Sequence, residues 1–306
     1  MADQKEVKTL QIHNKEESKV QEQVFKEFLE DPIKDEALDT TPNTCCVQAL
    51  RSSADWSIGL AKNAFECSIY NAYIHYIGKA DHYIYIESQF FVSAYKTIDC
   101  PVKNRIADAL FNRILIAHKK KRRFKIFIMA PLYPSKTLKY DVGYPGDIAE
   151  ADGTGVMRQI YHHEQLTLGY KKGALMERIK AEGINPSDYI RILGLRNHTC
   201  NKAKPITELL YIHSKLLIVD DNYVLIGSAN INDRSLLGYR DSELAVIIVD
   251  GKKVQATMND RKYEARSFAR RLRMKLMMVS FIRVSIGTSC NEYGGSGRSY
   301  IRKVLE

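Results

Sequence analysis

The chain has 306 residues, 45% of them hydrophobic and 27% charged, with a formal net charge of +10. That length can bury a sizeable core and fits one α/β domain of about 250 residues with short extensions. No apolar run nears the ~18 residues of a membrane-spanning helix, the first ten residues lack a secretory pattern, and the six cysteines form no CxxC pair. Transmembrane and disulfide-framed classes are thereby excluded, and a cytoplasmic protein with reduced thiols is expected.

Residues 1–42 read as a charged, loosely ordered extension with a short amphipathic patch at Val24, Phe25, Phe28 and Leu29. Ala64 to Lys79 has Phe65, Ile69, Ala72 and Tyr76 at helical spacing. Tyr83–Ile86 reads as a strand, Asn104–Lys121 as a helix and Phe124–Ala130 as a strand. Lys136 to Gly155, with five glycines or prolines, reads as a long loop. A helix is predicted over 155–180, broken near Gly169 and Gly173. It carries His162-His163, which point apart and, with nothing chelating beside them, are expected at the surface or in packing. Ile190–Leu193 is a short strand. Strands alternating with helices predict an α/β fold, a mixed β-sheet flanked by helices.

The chemistry concentrates in Leu209 to Val249. Leu209–Val219 reads as one strand, Asp220-Asp221-Asn222 as a turn, Tyr223–Ile226 as the returning strand and Leu244–Val249 as a third. On a strand, His213 and Lys215 share a face, as do Ser228 and Asn230 beyond Gly227. An imidazole titrating near pH ~6.5 can attack phosphorus or pass a proton to a leaving oxygen. Lys215 and Asn230 can donate to non-bridging phosphate oxygens, where charge must be held through the transition state. Glu243 can accept from the second ring nitrogen of His213 and fix its tautomer. Asp220, at the turn, is expected to support the loop or the lysine more than the reaction. Taken singly, each residue fits a solvated strand face or a turn; the combination at this spacing is what carries the reading. No metal and no cofactor is expected.

His213-x-Lys215-x4-Asp220, followed by Gly227-Ser228-Ala229-Asn230 and Asp241-Ser242-Glu243, resembles the HKD motif of the phospholipase D superfamily. The continuation is similar to the second, C-terminal motif of eukaryotic phosphatidylcholine-hydrolysing members. Ile84-Tyr85-Ile86-Glu87-Ser88-Gln89-Phe90-Phe91 resembles that family's IYIENQFF block, with Ser88 in place of Asn. Cys46–Ser52, leading to Asp55-Trp56-Ser57, and Tyr189-Ile190 with Leu195-Arg196, extend the resemblance over about residues 43–273. It implies one phospholipase D-type half-domain over 43–280, followed by a divergent tail over 281–306. It also implies hydrolysis of phosphatidylcholine to phosphatidic acid and choline, with transphosphatidylation. His213 would act as general acid and base, Lys215 and Asn230 would bind phosphate oxygens, Ser228 would assist, and Glu243 would orient His213.

The family carries two such motifs, and this sequence carries one. His118-x-Lys120 has Lys125 at the aspartate position, and His13-x-Lys15 has Val20 there. The resemblance therefore implies that a second HKD half, from another copy or another polypeptide, supplies the nucleophile. Residues 1–44 carry a net −5 and residues 251–306 a net +9. The cluster Lys119–Arg123, and Arg266, Arg270, Arg271 and Arg273 at helical spacing, fit either solvated helix faces or anionic lipid at a peripheral membrane surface. Nucleic acid is not expected, since basic and aromatic residues are not interleaved. A single-motif nuclease and an inert half that binds lipid or a partner are the alternatives.

Overall fold

The computed structural model describes residues 45–131, 156–201 and 204–285. The N-terminal extension with its amphipathic patch, the 136–155 loop and the tail from residue 286 lie outside the described residues. Twelve strands are described: β1 Cys45–Ala54, β2 Phe65–Cys67, β3 Tyr83–Glu87, β4 Lys125–Met129, β5 Ile190–Leu193, β6 Leu195–Asn201, β7 Lys204–Leu210, β8 Leu216–Val219, β9 Tyr223–Gly227, β10 Glu243–Asp250, β11 Lys253–Met258 and β12 Arg261–Arg266. The helices are α1 Asp55–Ile58, α2 Ser68–Lys79, α3 Ile106–Lys119, α4 Val156–Leu168, α5 Leu175–Ala181, α6 Asp233–Leu236 and α7 Ser267–Ser285.

Eight strands form one mixed sheet in the order β2-β1-β10-β9-β8-β3-β4-β5. β3, β4 and β5 run parallel to one another, and the remaining neighbours pair antiparallel. The α/β expectation, helices on a mixed sheet, holds. The larger core lies on one face, where Ile84, Ile86, Ile126, Ile128 and Leu217 pack against Ile69, Tyr73 and Ile77 of α2 and Leu110 and Ile114 of α3. On the other face, Tyr83, Tyr85, Phe127, Ile218 and Val224 meet Ala269 and Met277 of α7. Strands buried on both faces read as unbroken apolar runs, which is why β3 and β4 are plain in the sequence.

Three elements differ from their expectation. Phe65 to Cys67 is a strand paired to Ser52–Ala54, so α2 begins at Ser68 and buries Tyr73 and Ile77 rather than Phe65 and Tyr76. Leu209–Val219 is two strands. β7 belongs to a separate hairpin with β6, and β8 joins the large sheet, so Tyr211 to Lys215 cross between the two outside any strand. Arg266 lies on β12 and Arg273 is buried, leaving the basic face of α7 smaller than helical spacing implied. The break near Gly169 and Gly173 is present: Gly173 has φ +86° and its Cα sits against the Lys96 backbone, where a Cβ would meet the Lys96 carbonyl oxygen at 2.4 Å.

Candidate active site

The carboxyl edge of β3 and β4 and the start of β8 bring three segments together: 88–91 after β3, 211–215 before β8 and 228–231 after β9. Backbone contacts lock them: the Val92 N–H donates to the Ile231 carbonyl at 2.8 Å, and the Ile231 N–H to Ser88 Oγ at 3.3 Å. A Cβ on Gly227 would lie 2.4 Å from the Leu244 carbonyl oxygen, so glycine there lets β9 press against β10 as it enters the site.

Lys215 is buried, at 7% exposure, and its ammonium is the centre of the cluster. Nζ donates to Gln89 Oε1 at 3.1 Å and to the His213 carbonyl at 2.5 Å, and it lies 3.3 Å from His213 Nδ1. An ammonium can only donate, so His213 Nδ1 keeps its lone pair and the neutral ring carries its proton on Nε2. His213 is exposed. Asn230 Nδ2 reaches the same Gln89 oxygen at 3.4 Å, and Asn230 Oδ1 is buried without a partner. Gln89 Nε2 in turn donates to the Tyr211 hydroxyl at 2.7 Å, and the Tyr211 ring lies 6.3 Å from that of His213. Burial holds the Lys215 ammonium below the usual lysine range, with the Glu243 carboxylate pulling the other way. An arriving anion would relieve that cost.

Ser228 and Glu243 form a neighbouring pair: Ser228 Oγ donates to Glu243 Oε2 at 2.5 Å. Glu243 therefore touches Ser228 rather than the His213 ring that it was expected to orient, and it acts on Lys215 through charge. A second carboxylate, Glu87, accepts from the Tyr85 hydroxyl at 2.6 Å and from the Ser214 hydroxyl. That bond anchors the residue between His213 and Lys215.

The phospholipase D family model matches residues 9–275 of this chain. Human phospholipase D1 is 44% identical over 234 residues, covering 76% of this chain and 21% of that protein. Bovine phospholipase D2 is 43% identical over 234 residues, covering 76% of this chain and 24% of that protein.

The chain belongs to the phospholipase D family.

It spans about a fifth of the length of the curated relatives it matches. Among solved structures it is similar to NucT from Helicobacter pylori, with 10% identity, a TM-score of 0.38, and coverage of 78% of this chain and 98% of that one.

Within this family member, His213, Lys215 and Asn230 share one network, Ser228 and Glu243 stand beside it, and Asp220 stands apart. Asp220 lies at the far end of β8, where its carboxylate accepts from the backbone N–H groups of Asp81, His82 and Tyr83 at 2.6 to 2.9 Å. It braces the loop into β3. Gln89 and Tyr211 were not singled out in the sequence as site residues, although Gln89 lies inside the block that carries the resemblance. Among the described residues no group of three or more His, Cys, Asp or Glu could share a metal ion, and no helix is long and apolar enough to cross a membrane. His162 is exposed and His163 stacks on Tyr95 at 6.2 Å.

Proposed function

We propose that this chain supplies one half of a phospholipase D-type phosphodiesterase site that acts on phosphatidylcholine. The observation that carries the reading is the buried Lys215 ammonium donating at once toward His213 Nδ1 and to the Gln89 amide that also holds Asn230. This supports a role for Lys215 and Asn230 as donors to non-bridging phosphate oxygens beside the exposed His213 imidazole. In the first step an imidazole of a second HKD half forms a P–N bond. The P–O bond to choline breaks, and His213, entering this step as the imidazolium, gives its Nε2 proton to the choline oxygen and is left as the neutral ring. In the second, His213 takes a proton from water, or from an alcohol in transphosphatidylation, as that oxygen attacks phosphorus and the P–N bond breaks. Ser228 gives its one hydroxyl proton to Glu243 and would donate to a phosphate oxygen only by exchanging that bond.

The sheet offers a face for the second half. Val47, Ala49, Leu244, Val246 and Ile226 share one side of β1, β10 and β9 by register, with Arg51 opposite Leu244 and with Ile248, opposite Val47, packed into the α7 cluster. Val47 is 57% exposed and Leu244 63%. Leu244 follows Glu243 and Ile226 precedes Gly227, so this apolar face is continuous with the site. A second HKD half docked there would face His213 across a shared cleft, at a peripheral membrane surface on the cytoplasmic side.

The test is choline release from phosphatidylcholine vesicles across a dilution series of the chain. Specific activity is expected to fall on dilution, and an excess of a His213→Asn copy that retains the apolar face should suppress what remains, because the shared site needs an imidazole from each half. Strict proportionality between rate and concentration down to nanomolar protein contradicts the shared site.

A further inference from the structure

The segment that leaves β3 with Gln89 is held on two sides. One side is bonded to Ile231, and over the other α4 closes. Thr167 Oγ1 accepts from the Ser93 N–H at 3.1 Å and donates to the Ser93 carbonyl at 2.9 Å, sharing that proton with the His163 carbonyl at 2.8 Å. His163 stacks on Tyr95. α4 is thus a clamp on residues 91–95, and Gln89 lies just before it.

Ile160, Glu164 and Leu168 are spaced by four and fall with Thr167 on one face of α4. An apolar side chain would pack there, yet the middle position is a carboxyl, 5% exposed, with Oε1 unpartnered. Among the described residues the Phe91 N–H is the one polar group that acts on it. A carboxylate in that place would lack both water and a cation, so the group keeps its proton: burial pushes it up to about 8 from 4.5. Leucine would fill the face without leaving an oxygen unpaired. A breach of the packing rule of this kind is expected where it serves a site.

The charged and titratable groups on the elements around it are engaged elsewhere. Glu177 of α5 accepts from the Gly173 N–H at 3.0 Å, and Arg178 and Lys96 pair with Asp108 at 2.7 and 3.5 Å. Lys215 is turned to Gln89 and His213. Burial and His162 hold the His163 imidazole below its usual range, and burial raises the Tyr95 phenol, beside Cys100 and Asp99.

We propose that Glu164 is a positioning residue for the candidate active site: its uncharged carboxyl seats α4 against Phe91 and so sets the segment that presents Gln89 to Lys215 and Asn230. The inference rests on Gln89 as the residue that aligns those two donors. When Glu164 ionises, the carboxylate needs water, and the turn of α4 that holds it must part from Phe91.

Magnetic resonance of the full chain with isotope-labelled glutamine and phenylalanine tests this, following the Gln89 side-chain amide and the Phe91 N–H from about pH 6 to 9. Both signals are expected to move together with a midpoint near 8. Glu164→Gln keeps the size and cannot ionise, so the midpoint should vanish from both. Glu164→Leu, which completes the apolar face, should abolish it too, and either variant suffices if the other does not fold. Glu182→Gln, which removes an exposed carboxylate at the end of α5, should leave the midpoint in place. In choline release, kcat/KM should fall about tenfold through the same midpoint, and that fall should be absent in Glu164→Gln. A Glu164 that only packs would move Phe91 and leave Gln89 still. That result, or a midpoint at Gln89 that survives both substitutions, overturns the proposal. The titration is read without turnover, so a chain that shows it and releases no choline contradicts the phosphodiesterase reading alone.

Discussion

The two ends of β8 hold similar polar residues in opposite states. At the Asp220 end every carboxylate oxygen is occupied: Asp220 takes three backbone N–H groups, and Asp221 takes two guanidinium bonds from Arg273 at 2.7 Å and the Tyr83 hydroxyl at 2.6 Å. At the Lys215 end donors are shared around one amide oxygen, Asn230 Oδ1 has no partner and the His213 ring faces solvent. Only the four apolar residues of β8 separate them. A saturated buried network is rigid, and an under-satisfied one beside it is held ready for a ligand. Satisfaction of hydrogen bonds, rather than polarity, tells the bracing aspartates from the reactive cluster.

Substitutions at each end should therefore fail in different ways. The largest effect is expected for His213→Asn, which removes proton transfer from an exposed ring. Where turnover is measured it should fall about 10³-fold or more with an unchanged melting midpoint, and retained turnover would exclude His213. At the other end, Arg273→Met strands a buried carboxylate. Urea denaturation should show a loss of about 3–5 kcal/mol, and a change under 1 kcal/mol would show that the fork contributes nothing.

Glu164 sharpens the contrast, because it is buried in α4 with Oε1 unpartnered and belongs to neither end. Burial pushes its carboxyl up to about 8 from 4.5, opposed by the Phe91 N–H. Between those values the folded chain holds a proton that the unfolded chain has released, so stability falls as pH rises. The loss should amount to a few kcal/mol by pH 8. Glu164→Gln should flatten that slope in denaturation curves taken from pH 5 to 8; an unchanged slope would assign it elsewhere. Gln89→Ala should leave Lys215 and Asn230 unaligned and lower kcat/KM about 10- to 100-fold with little change in stability, and a purely structural Gln89 would instead lower the melting midpoint.

Much of this arrangement is legible in the chain. β3, β4, β9 and β10 announce themselves as apolar runs, and the longer helices by their period, because those signals are local. The β1 and β2 strands are not legible in the same way: Cys45–Ala54 is half exposed, and Phe65–Cys67 is a strand only because Ser52–Ala54 lies beside it. Leu209–Val219 reads as one strand because a β pattern does not reveal which sheet each part joins. Arg273 sits at helical spacing with Arg266 and Arg270, and spacing does not report that its fork is buried against Asp221.

By itself the sequence determined the chemical kit: one imidazole, one ammonium, an amide and a carboxylate at motif spacing, on an α/β scaffold. Only the tertiary structure decided how the kit is divided. Gln89 reaches Lys215 across 126 residues because β3 and β8 pair antiparallel with Glu87 opposite Leu216. The same pairing carries Asp220 to the far edge, into three backbone donors, and leaves Glu243 on Ser228. Spacing along the chain fixes neighbours within a few residues, whereas strand register and burial choose the partners that lie a hundred residues away.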